Sequence, residues 1–172
     1  MENIRKQAEA EATIIDTYIA NEETYIILPV RAIDYYSIVV EEEDIYYVKM
    51  TPLEIIKQSC LELDSTTYEG RRKAIADKLS LRYKTPMMVS KGEIFAFPTT
   101  SPAHEECCWV FQHPAIHIGK ADNKGVLFIR WEKQIKLTIS HHTLKTQFER
   151  AFQLRYTLFP NSAYFKPFET LS

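Results

Sequence analysis

Residues 35–64, YYSIVVEEEDIYYVKMTPLEIIKQSCLELD, contain a predicted β-hairpin that leads directly into a predicted α-helix. Both arms, YYSIVV and IYYVKM, are rich in the β-branched and aromatic residues that strands prefer. The acidic run EEED between the arms predicts a solvated turn. Thr51 and Pro52 predict the start of the helix, because a hydroxyl suits the N-cap and proline suits the first helical position. We expect this helix to end near Leu63.

The pattern continues on both sides of this segment. Upstream, Thr24 to Leu28 predicts a strand that Pro29 stops. Downstream, the hydroxyl residues at 65–67 offer N-caps for a second helix that runs to about Leu79. Thr66 and Glu69 match the spacing of a capping box.

The C-terminal half predicts mainly strands. MMVSKGEIFAFP, residues 87–98, is typical of a hairpin that turns at Ser90-Lys91-Gly92. Three further strands are expected at 108–118, 126–131 and 134–139. Ser140 then predicts the N-cap of a last helix, in which Leu144, Phe148 and Phe152 recur at the spacing of a buried stripe.

Together these elements predict an α+β fold, a single domain with a mainly antiparallel sheet and two or three packed helices. Strands do not alternate with helices, which argues against a doubly wound parallel sheet. Residues 1–13 are expected to be helical or frayed. We assign 14–159 to the folded domain and 160–172 to a C-terminal tail, which contains two prolines, Pro160 and Pro167.

Composition indicates a globular protein. The chain has 172 residues, of which 45% are hydrophobic and 26% charged, enough to bury a core. No apolar run approaches the ~20 residues of a membrane helix, and the charged start lacks a signal-peptide core. With only three cysteines, Cys60, Cys107 and Cys108, a disulfide scaffold is not expected. These features predict a cytoplasmic protein that does not bind a membrane.

The net charge of −2 conceals an asymmetry along the chain. Residues 1–64 carry 5 basic and 14 acidic side chains, whereas residues 65–172 carry 16 basic and 9 acidic ones. Such asymmetry is typical of a basic half that meets a nucleic acid or another polyanion. Chance variation of charge along a chain is the alternative.

The positive charge is densest around STTYEGRRKAIADKLSLRYKTP, residues 65–86. At 100° per residue, a helix that continued through this segment would place Arg71, Lys78 and Arg82 on one edge of an apolar stripe. We therefore predict a DNA-binding surface here, against the alternative of an ordinary solvated helix face. The predicted DNA contacts are Arg71, Arg72, Lys73, Lys78, Arg82 and Lys84.

No catalytic or cofactor motif occurs in the chain. Phosphate-binding glycine loops, GxSxG and HExxH are all absent. The best metal candidate is the His and Cys cluster at 104–117, which resembles parts of a zinc site. If 108–118 is one continuous strand, its candidate ligands spread over ~30 Å at the rise of a strand. We therefore expect buried cysteines, exposed histidines, no metal, no cofactor and no enzyme activity.

Several stretches, in order, resemble the competence transcription factor ComK family of Gram-positive bacteria. They are YVKMTPLEIIKQSC at 47–60, STTYEGRRKA at 65–74, KTPMMVSKGEIFAFPTTSP at 84–102 and CCWV at 107–110. Weaker similarity extends from about Tyr18 to Phe159, so the resemblance covers most of the chain.

The resemblance implies a sequence-specific DNA-binding activator of genes for DNA uptake. Members of that family bind paired A/T-rich boxes of double-stranded DNA, largely through the minor groove, as a homodimer or a dimer of dimers. They are also held by an adaptor of the Clp protease that recognises their C-terminal region, which YFKPFE at 164–169 matches only loosely. The resemblance does not assign the individual DNA contacts.

Two other functions stay open at the level of sequence. One is a regulatory module that binds a protein partner through the aromatic tail, without DNA contact. The other is a zinc-dependent nucleic-acid enzyme built on the 104–117 cluster.

Overall fold

A computed structural model of the chain describes residues 1–162 and 164. Within these residues the fold has four α-helices: α1 Glu2–Glu11, α2 Pro52–Asp64, α3 Tyr68–Leu79 and α4 His141–Leu158. The ten strands are β1 Thr13–Ile15, β2 Ile26–Pro29, β3 Ser37–Val40, β4 Ile45–Val48, β5 Met87–Ser90, β6 Ile94–Pro98, β7 Trp109–Phe111, β8 Ile116–Ala121, β9 Lys124–Ile129 and β10 Lys133–Ser140. The predicted α+β class is confirmed.

The strands form two sheets rather than one. A seven-stranded sheet has the order β1-β4-β3-β2-β7-β6-β5, and a three-stranded sheet has the order β10-β9-β8. Every described strand pair is antiparallel except β1 with β4, which is parallel. The mainly antiparallel sheet was therefore predicted in outline, but the second sheet and the parallel edge strand were not.

The seven-stranded sheet is covered on both faces. On one face, α2 and α3 pack against alternate residues of the strands, such as Ile27, Val39 and Trp109. On the other face, α1, the three-stranded sheet and the N-terminal part of α4 pack against the residues between them, such as Ile26 and Val110. Successive residues of a strand point to opposite faces of the sheet, and both faces are covered. Both sets of residues are therefore buried. The fold is a three-layer structure.

The 35–64 segment folds as its sequence predicts. Ser37–Val40 pairs antiparallel with Ile45–Val48, and α2 starts directly after Thr51. The Thr51 side chain accepts from the Glu54 amide, and the Glu54 carboxylate accepts from the Thr51 amide, which completes a capping box. These local bonds fix the start of α2.

The acidic turn differs from its prediction at one residue. Glu41 is buried, and its carboxylate accepts hydrogen bonds from the Tyr18 hydroxyl at 2.5 Å and from the Asn21 amide at 3.0 Å. Burial, with the bond to Glu41, raises the pKa of Tyr18 far above its usual value. Only the later residues of the EEED run are solvated, because the chain at 18–24 covers the first one.

Two local predictions for helices are corrected, and a third is decided. The N-cap of α3 is Thr67, which accepts from the Gly70 amide, so Thr66 and Glu69 do not form a capping box. In α4 the buried stripe includes Leu144 but not Phe152, which is 42% exposed. At the N-terminus, the helical alternative predicted for residues 1–13 is confirmed and the frayed one is not, since α1 packs with Ile4 and Ala8 buried in the core.

The predicted long strand at 108–118 is also wrong. The chain leaves β7 at Phe111 and re-enters a strand only at Ile116, and His113 and Pro114 lie in the connection. Proline cannot donate to a sheet ladder, which favours a break at this point. Residues 109–111 therefore belong to the large sheet and 116–121 to the small one.

Gly125 shows how closely α4 packs on the small sheet. A Cβ on Gly125 would lie 2.7 Å from Leu144 Cδ2 and 2.9 Å from Leu144 Cβ. We predict that Gly125→Ala lowers the free energy of unfolding by about 1–3 kcal/mol, as overpacking of a core does. Denaturant unfolding measures the change. The exposed β10 variant Gln134→Ala is the control, with an expected change within about 0.5 kcal/mol. Equal stability of the two variants would contradict this packing.

Candidate nucleic-acid interface

The predicted basic segment forms helix α3 and the loop that follows it. Tyr68 and Ile75 are buried against the large sheet, as the apolar stripe predicted, and Leu79 is partly buried. The helix ends at Leu79, with Ser80 in the left-handed conformation. Arg82 and Lys84 therefore do not lie on the helix, and the predicted continuous row of Arg71, Lys78 and Arg82 is wrong.

Arg71 is committed to the fold. Its guanidinium Nη1 donates to Asp64 Oδ2 at 2.8 Å and to the Met88 carbonyl at 2.9 Å. Its side chain is only 11% exposed and that of Asp64 only 15%. The Asp64 carboxylate also accepts from the Lys91 amide at 2.7 Å. Arg71 thereby joins the end of α2, α3 and the β5–β6 hairpin, and this geometry does not leave its guanidinium available for DNA.

The other predicted contacts differ in their surroundings. Lys73 pairs with Asp77 in an exposed i,i+4 ion pair, which constrains it weakly. Arg72 lies on the opposite flank of the buried stripe from Arg71, and its positive charge partly offsets the burial that raises the pKa of Tyr68. Among the described residues, no carboxylate lies within ion-pair distance of Arg72, Lys78, Arg82 or Lys84. Four of the six predicted residues thus present an unpaired positive charge.

Helix α4 holds the loop that carries two of these charges. The buried Gln147 side chain donates to the Lys84 carbonyl at 2.8 Å and to the Pro98 carbonyl at 2.9 Å. Arg150 Nη1 donates to the Tyr83 carbonyl at 3.3 Å. Lys84 has a positive φ of 52°, a conformation that needs such support in a residue other than glycine. The loop is therefore built by a helix more than sixty residues away in sequence.

We name the resulting surface the basic edge, which consists of Lys78, Arg82, Tyr83, Lys84 and Arg150. Tyr83 is 77% exposed between two cations, and Arg150 is, like them, without an acidic partner in the described part of the chain. Sequence reasoning missed Tyr83 and Arg150. The only available signal for Arg150 was its place outside the buried stripe of α4.

The His and Cys cluster does not form a metal site. Within residues 1–162 and 164, no three His, Cys, Asp or Glu side chains are placed to hold a metal ion. All three cysteines are free and buried, as predicted. Burial raises the pKa of Cys60 to about 11 and that of Cys108 to about 12, so both thiols are protonated near neutral pH. The continuous strand from which the spread of the candidate ligands was predicted is wrong, because the chain breaks between Phe111 and Ile116.

No helix in the described chain has both the length and the apolar character that a membrane span requires.

We predict that Arg71→Ala destabilises the fold by about 3 kcal/mol, the lower end of the cost of breaking a buried ion pair. The substitution leaves Asp64 without its cation and removes the donor to the Met88 carbonyl. Denaturant unfolding measures the change, and Arg72→Ala is the matched control because its side chain has no such bonds. An Arg71→Ala variant as stable as the control would show that the ion pair of Arg71 with Asp64 contributes little to the free energy of unfolding.

Comparison with known proteins supports one family. The model of the ComK protein family matches residues 15–161. A protein of Bacillus subtilis (strain 168) named "Competence transcription factor" is 32% identical over 147 residues, which cover 82% of this chain and 74% of that protein. No solved structure matches. The chain belongs to the ComK family.

Proposed function

We propose that this chain is a competence transcription factor that binds A/T-rich double-stranded DNA and activates genes for DNA uptake. The observation that carries the DNA-binding part is the basic edge, where Arg82, Lys84 and Arg150 lie next to the exposed Tyr83 and Lys78 lies at the end of α3, none of them with an acidic partner among the described residues. The name of the Bacillus subtilis relative supports the regulatory part. We propose no enzyme activity and no cofactor.

The charges of the basic edge suit a phosphate backbone. Lysine and arginine that neutralise phosphates release condensed counterions, and this release supplies most sequence-independent affinity. A cation already paired with a carboxylate must first lose that partner, whereas Lys78, Arg82, Lys84 and Arg150 need not. The surface is therefore ready for a polyanion in this conformation.

The loop also suits a narrow groove. A-tracts narrow the minor groove and deepen its negative potential, which attracts inserted arginine. Arg82 is exposed on a loop fixed from behind by α4, so it is our candidate for the inserted side chain. Arg72 is a second candidate. Arg71 is not, because its guanidinium is bound within the fold.

We predict that Arg82→Ala weakens binding to an A/T-rich duplex more than binding to a mixed-sequence duplex. Lys84→Ala, by loss of a phosphate contact, should weaken both about equally and reduce the salt slope of binding by about one. The Kd of each variant for both duplexes, measured across a salt series, gives the loss of affinity and the salt slope.

Lys49→Ala is the matched control for charge, since Lys49 lies beside β1, at the sheet edge opposite β5. If Arg82→Ala and Lys84→Ala each bind DNA with wild-type affinity, the basic edge is not part of the DNA interface. Circular dichroism of each variant excludes unfolding as the cause of a loss.

Base substitution in the DNA distinguishes recognition through the minor groove from recognition through the major groove. An inosine–cytosine pair lacks the minor-groove amino group of a G·C pair but keeps the major-groove pattern of G·C. We predict that boxes in which A·T pairs are replaced by inosine–cytosine retain affinity, and that boxes with G·C pairs lose it. Loss with both replacements would indicate major-groove recognition.

Paired boxes require two copies of the chain. Linking two binding sites raises avidity because the second binding event becomes intramolecular. We predict self-association at micromolar concentration, visible by sedimentation of the protein alone or on a two-box duplex. A monomer in both samples would contradict a dimer or dimer of dimers.

The Clp adaptor stays a prediction. The segment that the family resemblance implicates falls mainly on residues 163 and 165–172, outside the described residues. The one described residue beyond 162 is Tyr164, whose ring lies 4.3 Å from the Arg155 guanidinium.

A further inference from the structure

The most exposed aromatic side chain in the described part of the chain belongs to the loop of the basic edge. Tyr83 is 77% exposed, and its ring has no aromatic or cation–π partner among the described residues. Trp131 follows at 66%, but its ring packs on those of His117 and Phe128. Tyr83 therefore presents most of an apolar ring, with a hydroxyl at its tip, to whatever meets this surface.

The backbone that carries Tyr83 is fixed although the side chain is exposed. The Tyr83 carbonyl accepts from Arg150 Nη1, and the Lys84 carbonyl accepts from Gln147. The next residue, Thr85, is only 2% exposed, so the loop returns directly to the core. A side chain on such a preorganised loop loses little further backbone freedom when it binds a partner.

The charge around Tyr83 is positive and is not offset locally. Residues 78–91 contain four basic side chains and no acidic one. On the two helices that adjoin the loop, α3 and α4, each carboxylate is already paired with a lysine: Glu69 with Lys57, Asp77 with Lys73 and Glu149 with Lys145. The surroundings of this ring are therefore complementary to a polyanion.

The turn that carries Trp131 has a different charge environment. Sequence analysis expected Trp131 within a strand, but β9 ends two residues before it and Trp131 lies in the turn that leads to β10. Arg130 pairs there with Glu42, and Glu43 and Glu132 line the same cavity. Of the two most exposed rings, only that of Tyr83 lies among cations without acidic partners.

We infer that Tyr83 is a specificity-determining residue of the DNA interface, whose ring enters the minor groove of the A/T-rich duplex and whose hydroxyl donates to a base edge. This inference rests on the proposed function and assigns the reading of bases to a named side chain. The cations beside Tyr83 contact phosphate and hold the loop over the groove.

The dimensions and chemistry of the minor groove favour such a contact. The groove is about 6 Å wide, whereas a helix such as α3 is about 10–12 Å across with its side chains. A single flat ring on a loop can reach the groove floor where a helix cannot. There A·T pairs present only the acceptors adenine N3 and thymine O2, which a phenol hydroxyl can donate to. A G·C pair adds the amino donor of guanine, which a donating hydroxyl does not match.

Two variants separate the ring from its hydroxyl. Tyr83→Ala removes both, and we expect its affinity for an A/T-rich duplex to fall about tenfold to a hundredfold, as for a central interface side chain. Tyr83→Phe keeps the ring, and we expect a fall of about twofold to tenfold, the range of one hydrogen bond. Both variants should lower the ratio of affinities for the A/T-rich duplex and for the same duplex with G·C pairs in its boxes.

The control and a second readout use the same full-length chain. Trp131→Asn removes another exposed ring, and asparagine tolerates the left-handed φ of 61° at that position. We expect this variant to keep the wild-type ratio of affinities. Independently, nitration of Tyr83 by tetranitromethane, located by mass spectrometry, should be suppressed when the wild-type protein is bound to the A/T-rich duplex.

The outcomes distinguish this inference from the proposed function. Absence of DNA binding by the wild type overturns both. If the wild type binds A/T-rich DNA, but Tyr83→Ala binds it equally well and the duplex leaves nitration of Tyr83 unchanged, the inference is wrong and DNA binding stands.

Three further results would also overturn the inference. An equal loss of affinity of Tyr83→Ala for both duplexes would place the ring against the phosphate backbone instead of the bases. A wild-type ratio of affinities in Tyr83→Phe would show that the hydroxyl reads no base. If Tyr83→Ala abolishes self-association of the free protein and binds a single-box duplex like the wild type, the ring is an interface between copies of the chain.

Discussion

The hydrogen-bonded ion pair between Asp64 and Arg71 is the interaction on which the arrangement of the candidate interface depends. Asp64 ends α2, Arg71 lies in the second turn of α3, and their pair also binds the Met88 carbonyl and the Lys91 amide of the β5–β6 hairpin. Strand β5 is the edge of the large sheet, where unpaired backbone groups invite unwanted pairing. The Arg71 guanidinium binds the Met88 carbonyl on that edge strand, and the ion pair fixes α3 beside it.

The same segment of sequence therefore has two roles. Arg71 is bound within the fold, whereas Lys78, Arg82 and Lys84 have no ion-pair partner among the described residues. Arg71 differs from them because the nearly buried carboxylate of Asp64 lies beside it. A cluster of like charges in sequence does not by itself show which members are available to a ligand. Their ion-pair partners and burial decide that.

The layered architecture lets one helix support two parts of the structure, the loop at 81–86 and the small sheet. The basic edge combines Arg82, Tyr83 and Lys84 of that loop with Lys78 of α3 and Arg150 of α4. On the small sheet, Trp131 stacks on His117 beside the turn between β9 and β10. Helix α4 contributes to both, because Gln147 and Arg150 hold the loop while Leu144 packs on Gly125 of the small sheet.

The sequence by itself determined the elements whose signals are local. Thr51, Pro52 and Glu54 form the start of α2 through bonds within one turn, and the β-branched and aromatic residues of 37–48 favour the paired strands β3 and β4. The basic segment and its buried Tyr68 and Ile75 were likewise predictable, because helical periodicity is a property of neighbouring residues.

Tertiary structure alone decided the burial of Glu41, the commitment of Arg71, the support of Lys84 by Gln147 and the exposure of Trp131. Each depends on a partner that is distant in sequence or, for Trp131, on the turn that joins two strands of the second sheet. Free energies of hydrogen bonding and burial depend on which groups come into contact in the folded protein, and a single sequence does not specify those contacts.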